Sequence, residues 1–65
     1  MITVNGSPLY HREGRALLAL LQELGYRQDV LAVEYNGCVL DKGAYASTLL
    51  HDGDKIEVVS FVGGG

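Results

Sequence analysis

The chain has 65 residues, 48% of them hydrophobic, and carries a formal charge of -3 from five Lys and Arg against eight Asp and Glu. A chain of this length makes one small domain that buries only ~60% of the surface exposed by its unfolded form, which excludes a deep internal active site. The few, scattered cations exclude a nucleic-acid binder, whose phosphate contacts need clustered positive charge, and favour a partner with a basic docking surface.

Residues 1–5 alternate large and polar side chains in β-forming types, which predicts a strand with Ile2 and Val4 facing the core. Asn5-Gly6 favours positive φ and predicts a tight hairpin turn, lengthened by Ser7-Pro8, before a short return strand over 9–11. Across 15–24, Ala16, Leu17, Leu20, Leu21 and Leu24 recur at three- and four-residue spacing, the pattern of a helix with one apolar stripe. Leu18 lies on the flank of that stripe, and Gly25 suits the left-handed position just past the helix end. Glu13-Gly14 supplies no Ser, Thr, Asp or Asn cap, so the helix start is unmarked. The near-continuous apolarity of 30–35 predicts a central strand, followed by an Asn36-Gly37 hairpin turn and a short strand over 38–40. Residues 41–50 read as an irregular connection with one helical turn near 45–49, His51-Asp52-Gly53-Asp54 as a turn, and 55–62 as the last strand.

A single helix covers one face of such a sheet and leaves the other open. With Ile56 and Val58 facing the helix, Val59 and Phe61 fall on the open face, an apolar pair suited to docking. The strand then runs into Gly63-Gly64-Gly65. Glycine loses the most backbone freedom on ordering, so this end is predicted to be a mobile tail. Extended, residues 62–65 reach about 12 Å beyond the body. Lacking Cβ atoms, the glycines can thread a channel too narrow for side chains and deliver a terminal carboxylate to another protein's active site.

The remaining polar residues point to structure rather than catalysis. Cys38 is the lone cysteine, read as a small strand residue, and it cannot form an internal disulfide. No basic leader precedes Ile2 and no apolar run approaches the ~20 residues of a membrane span, so a cytoplasmic protein with no membrane partner is expected. His11 and His51 match no metal-ligand spacing with Cys38 and are expected to be surface or turn residues. Asp52 and Asp54 are expected to shape the turn around Gly53, and Tyr26, Tyr35 and Tyr45 to be core or rim aromatics with hydrated hydroxyls. No nucleophile stands beside a base and no phosphate loop is present.

The hairpin, single helix, second Asn-Gly hairpin, Asp52-Gly53-Asp54 turn and glycine ending resemble the ubiquitin-like β-grasp sulfur carriers over essentially the whole chain. The run DGDKIEVVSFVGGG from Asp52 to Gly65, with Val33-Glu34-Tyr35-Asn36-Gly37, is most similar to the ThiS group of that family, sulfur carriers of thiamin thiazole biosynthesis. The resemblance implies an α+β, ubiquitin-like β-grasp in which a mixed sheet packs on one helix. Residues 1–62 would form the domain and 63–65 a flexible tail. It implies a protein cosubstrate, not an enzyme, with no cofactor of its own. A ThiF-like adenylating enzyme would use ATP and magnesium to turn the Gly65 carboxylate into an acyl-adenylate. A cysteine desulfurase or rhodanese-type donor would supply persulfide sulfur, and the resulting thiocarboxylate would feed a ThiG-like thiazole synthase. Gly65 would be the modified residue and Gly63 and Gly64 the threading tail. Phe61 and Val62 would touch the mouth of the partner's channel, with Val59 a further contact. The same tail also suits a molybdopterin sulfur carrier or a ubiquitin-like modifier joined to lysines, and a noncovalent interaction domain is the remaining alternative.

Overall fold

Two Asn-Gly turns set the register of the sheet. In the computed structural model, which describes residues 1–11, 13–26 and 30–60, Asn5 and Gly6 have φ of 51° and 82°, and Asn36 and Gly37 of 51° and 87°. These are the left-handed values that a two-residue hairpin turn demands and that few other residue pairs accept. The first turn joins β1 (Ile2–Val4) to β2 (Ser7–Leu9), with Val4 opposite Ser7. The second joins β3 (Val30–Tyr35) to β4 (Cys38–Leu40), with Tyr35 opposite Cys38. The return strand therefore begins at Ser7, not at Leu9 as the sequence suggested, and Ser7-Pro8 does not lengthen the loop. Pro8 is accommodated because β2 is an edge strand. The residue next to the turn-closing pair directs its amide side outward, so the N–H that proline lacks would have faced solvent.

The strand β5 (Lys55–Ser60) completes a mixed five-stranded sheet of order β2-β1-β5-β3-β4, in which β1 and β5 are parallel and the other pairs antiparallel. β5 is thus the middle strand, and β3 is interior between β5 and β4. The apolarity of β3 does not reflect burial on both faces. A register shift between Val30 and Ala32 leaves Leu31 54% exposed, while Val30 and Val33 stay in the core. A short 3₁₀ turn, Lys42–Ala44, sits in the connection to β5, slightly earlier than the helical turn expected near 45–49.

The helix α1 (Leu17–Glu23) buries Leu17, Leu20 and Leu21. It starts two residues later than the periodicity predicts, because Arg15 and Ala16 are drawn into an extended pairing with the chain before β5. Ala16 bridges to Leu49, Gly14 N–H donates to the Leu50 carbonyl at 2.8 Å, and Leu50 N–H donates to the Arg15 carbonyl at 2.7 Å. The same segment caps the helix: Leu17 and Leu18 donate to the carbonyls of Thr48 and Tyr45 at 2.8 and 3.0 Å. Free N–H groups of a first helical turn need acceptors, and here distant backbone supplies them in place of a capping side chain. The far end closes as expected. With Gly25 at φ 90°, Gly25 N–H reaches Gln22 O and Tyr26 N–H reaches Leu21 O, the paired bonds of a glycine-terminated helix. Leu24, placed on the apolar stripe by its spacing, sits at this fraying end and is 41% exposed.

The core lies between α1 and one face of the sheet, where Ile2, Leu17, Leu20, Val33, Leu50 and Ile56 are each at most 2% exposed. Among the described residues, no helix is long and apolar enough to cross a membrane. Residues 61–62, expected from the sequence to continue the last strand, and the expected tail 63–65 lie outside the described residues.

Candidate functional site

β5 alternates as its sequence predicts: Ile56 and Val58 are 0% and 7% exposed, while Val59 is 49% exposed on the opposite face. Register assembles a surface around Val59. Ala32 lies directly opposite it, Glu34 opposite Glu57, and Val39 opposite Glu34. Val39 is 70% exposed. The open face is therefore an apolar patch of Val59, Ala32 and Val39 crossed by two neighbouring carboxylates. Like charges in direct cross-strand register are unfavourable, and among the described residues no ion pair neutralises either one. A basic, partly apolar partner would relieve that repulsion and cover the patch. Of the site residues expected from the sequence, Val59 is placed on this face. Phe61, Val62, Gly63, Gly64 and Gly65 lie outside the described residues.

The opposite end of β5 is tied down by charge. Asp54, only 8% exposed, accepts hydrogen bonds from the Tyr35 hydroxyl at 2.5 Å, Asn36 Nδ2 at 3.0 Å and His51 N–H at 2.8 Å. Burial pushes its carboxyl up, but these three donors outweigh burial and hold it below the usual aspartate value. The same bond, with burial, pushes the Tyr35 phenol up to about 12. Its hydroxyl is thus bonded within the protein, not hydrated as the sequence suggested. Asp54 fastens the turn to the β3–β4 hairpin, a role beyond shaping the bend around Gly53. Asp54→Ala strands three donors, all of them part-buried with it, and is expected to cost about 3 kcal/mol in urea unfolding. Asp54→Asn is not expected to restore stability, because an amide turns its own donors against these.

Nearby, Glu13 accepts from His51 Nδ1 at 2.6 Å and from Asp52 N–H at 3.1 Å, and the Met1 amino group pairs with Asp52. The Glu13 hydrogen bond raises the His51 imidazole, and the same bond holds Glu13 low. For the histidine, the stability is fully present below its unfolded value near pH ~6.5 and is lost as pH rises through the raised folded value. For the glutamate, it is present above the unfolded value near pH ~4.3 and is lost as pH falls through the depressed one. Glu13→Gln is expected to flatten both limbs of a melting-temperature profile taken from about pH 2 to 9.

His51 is exposed, as expected, but the His11 side chain is only 4% exposed. Among the described residues neither of its ring nitrogens has a hydrogen-bond partner, Glu13 Oε1 lying 3.6 Å away. The surface reading of His11 is therefore corrected: its side chain is buried two residues past Leu9, which packs on the core. The Tyr45 hydroxyl is likewise buried without a partner among the described residues, and burial raises its phenol. Cys38 is exposed on β4. Among the described residues no group of three or more His, Cys, Asp or Glu is arranged to hold a metal ion.

The Val39 exposure and the Glu34–Glu57 pairing were missed from the sequence, although the Asn36-Gly37 turn already places Val39 across from Glu34. The Asp54 network carried no such signal, since its partners come together only in the folded sheet.

The ThiS family model matches residues 2–65. The crystal structure of a thiamine biosynthesis protein (ThiS) from Geobacter metallireducens aligns with a TM-score of 0.80 at 38% identity, covering 98% of this chain and 97% of that one. A solution structure of a thiamine biosynthesis protein from the same organism aligns at 0.76 and 39% identity, covering 98% and 86%. A thiazole synthase of Magnetococcus marinus is 42% identical over 64 residues, covering 98% of this chain and 20% of that protein. The chain spans about a fifth of the length of the thiazole synthases it matches. An uncharacterized protein, ycf40 of Porphyra purpurea, is 36% identical over 64 residues and is covered to 90%. The mixed five-stranded sheet on one helix is the ubiquitin-like β-grasp of these structures. Sharing that fold and the family pattern from Ile2 to Gly65, the chain belongs to the ThiS family.

Proposed function

We propose that the chain is a sulfur carrier for thiamin thiazole biosynthesis, acting as a protein cosubstrate whose reactive group is the Gly65 carboxylate. The observation that carries this reading is the family match through residue 65, which includes the glycine ending. The likeness to a thiamine biosynthesis protein and the homologous segments within thiazole synthases support the pathway and a ThiG-like acceptor.

The chemistry follows from the carboxylate. Its charge repels nucleophiles, so it must first gain a leaving group. On a ThiF-like enzyme, with ATP and magnesium bound there, a Gly65 oxygen attacks the α-phosphorus and pyrophosphate leaves. A persulfide from a cysteine desulfurase or rhodanese-type donor attacks the acyl carbon and AMP leaves. A second thiol then reduces the new sulfur–sulfur bond, forming a disulfide with the donor and releasing the thiocarboxylate. This chain supplies recognition. The apolar patch of Val59 and Val39 with Glu34 and Glu57 docks on a basic partner surface, Phe61 and Val62 reach the channel mouth, and Gly63 and Gly64 thread it.

Incubation with ATP, magnesium, the cognate adenylating enzyme and a persulfide donor should replace one oxygen of Gly65 by sulfur, read by intact-mass spectrometry. Recovery of Gly65 in isopeptide bonds to lysines would instead indicate a protein modifier. Thiamin-independent growth of cells carrying the chain without Gly64 and Gly65 would remove the carrier reading.

A further inference from the structure

We infer that Asn5 is a positioning residue for the chemistry at the chain's end, because its side chain serves, among the described residues, as the last rung on one edge of β5. The inference rests on the carrier reading and deepens it.

In β5 the amide and carbonyl groups of alternate residues face β1. Thr3 N–H donates to the Asp54 carbonyl at 3.0 Å and Asn5 N–H to the Ile56 carbonyl at 2.9 Å. Regular pairing of β1 with β5 ends at Val4 and Ile56, because β1 turns away at Asn5. The next donor on that edge is Val58 N–H, and Asn5 Oδ1 accepts it at 2.7 Å. The turn residue thus extends the ladder by its backbone and then by its side chain, after β1 itself has left. On the other edge, Val58 pairs with Val33 and Val59 with Ala32, and after a register slip between Ala32 and Val30 the pairing resumes at Ser60 with Val30. Toward Ser60, therefore, β5 is held by one irregular edge and by Asn5. Residues 61–65 follow directly in the chain.

Asn36 shows the same device where β5 begins. Its Oδ1 accepts from Lys55 N–H at 2.8 Å and its Nδ2 donates to Asp54 Oδ1 at 3.0 Å. Both asparagines have φ 51°. A turn of this type needs only a residue that tolerates positive φ, which glycine does better than asparagine. The side-chain bonds are thus a separate contribution of asparagine. With Val58 pinned, this part of β5 is already ordered when a partner takes up the carboxylate, which favours binding over the chemical step.

The test compares Asn5→Gly, which keeps the turn and removes the acceptor, with Asn5→Asp, which keeps both. Asn36→Gly is the control at the distant end. Asn5→Gly should speed Val58 amide exchange about tenfold and raise the KM for the carrier about tenfold in ATP–pyrophosphate exchange by the adenylating enzyme, leaving kcat unchanged. Asn5→Asp should restore both values. Asn36→Gly should lower the melting temperature without raising KM, which separates aiming from stability. Unchanged Val58 exchange, or an unchanged KM with a wild-type chain that is adenylated normally, would overturn this inference alone. A wild-type chain that supports no exchange at all would overturn the carrier reading and with it this role.

Discussion

Replacing Leu20 by Ala is expected to lower the unfolding free energy by about 2–5 kcal/mol, because the side chain is 2% exposed and α1 is the only helix covering the sheet among the described residues. A domain of this length has on the order of 3–10 kcal/mol in all at roughly 0.05–0.15 kcal/mol per residue, so the variant should approach or cross the limit of folding. The fair comparison is Leu24→Ala, at a position the same periodicity selects but which is 41% exposed. It should cost under about 1 kcal/mol. Urea midpoints with an unchanged slope give both values. Equal costs at the two positions would mean that the stripe is not divided between core and frayed end as the structure has it.

Gly64→Leu is expected to do the reverse: abolish adenylation while leaving the melting curve where it was. Under the carrier reading, the residue before the reacting carboxylate must pass through the partner's channel, and a branched side chain there stops passage before chemistry begins. Among the described residues, the buried core between α1 and the sheet runs from Ile2 to Val58, and a glycine has no side chain to add to it. ATP–pyrophosphate exchange reads the first effect and thermal unfolding the second. Normal exchange with the leucine variant would show that the glycines are not there for narrowness.

Most elements were legible in the chain because their signals are local. The two Asn-Gly turns are readable since only a few residue pairs accept two consecutive positive φ values, and they alone fix the partners of Val4 and Tyr35. Gly25 ends the helix for the same reason. The buried Leu17, Leu20 and Leu21 follow from the 3.6-residue period, and the exposure of Val59 beside buried Val58 from the two-residue period. The glycine ending, too, is visible as written.

What the chain order hides is anything that depends on a distant partner. Whether Arg15 and Ala16 join the helix is decided by the carbonyls and amides of residues 45–50, which claim that backbone for an extended pairing and cap Leu17 and Leu18 in exchange. The choice of β5 over β3 as the middle strand needs the parallel pairing of the first and last strands, which are separated by nearly the whole chain. Asp54 and Asn5 looked like turn formers and proved to be anchors as well, because their oxygen atoms meet donors more than fifteen and fifty residues away. By itself, then, the amino-acid sequence determined where the backbone bends and which side chains are apolar on each face. Tertiary structure alone decided how polar groups are satisfied, since a hydrogen bond between remote segments exists only once folding has brought donor and acceptor within about 3 Å.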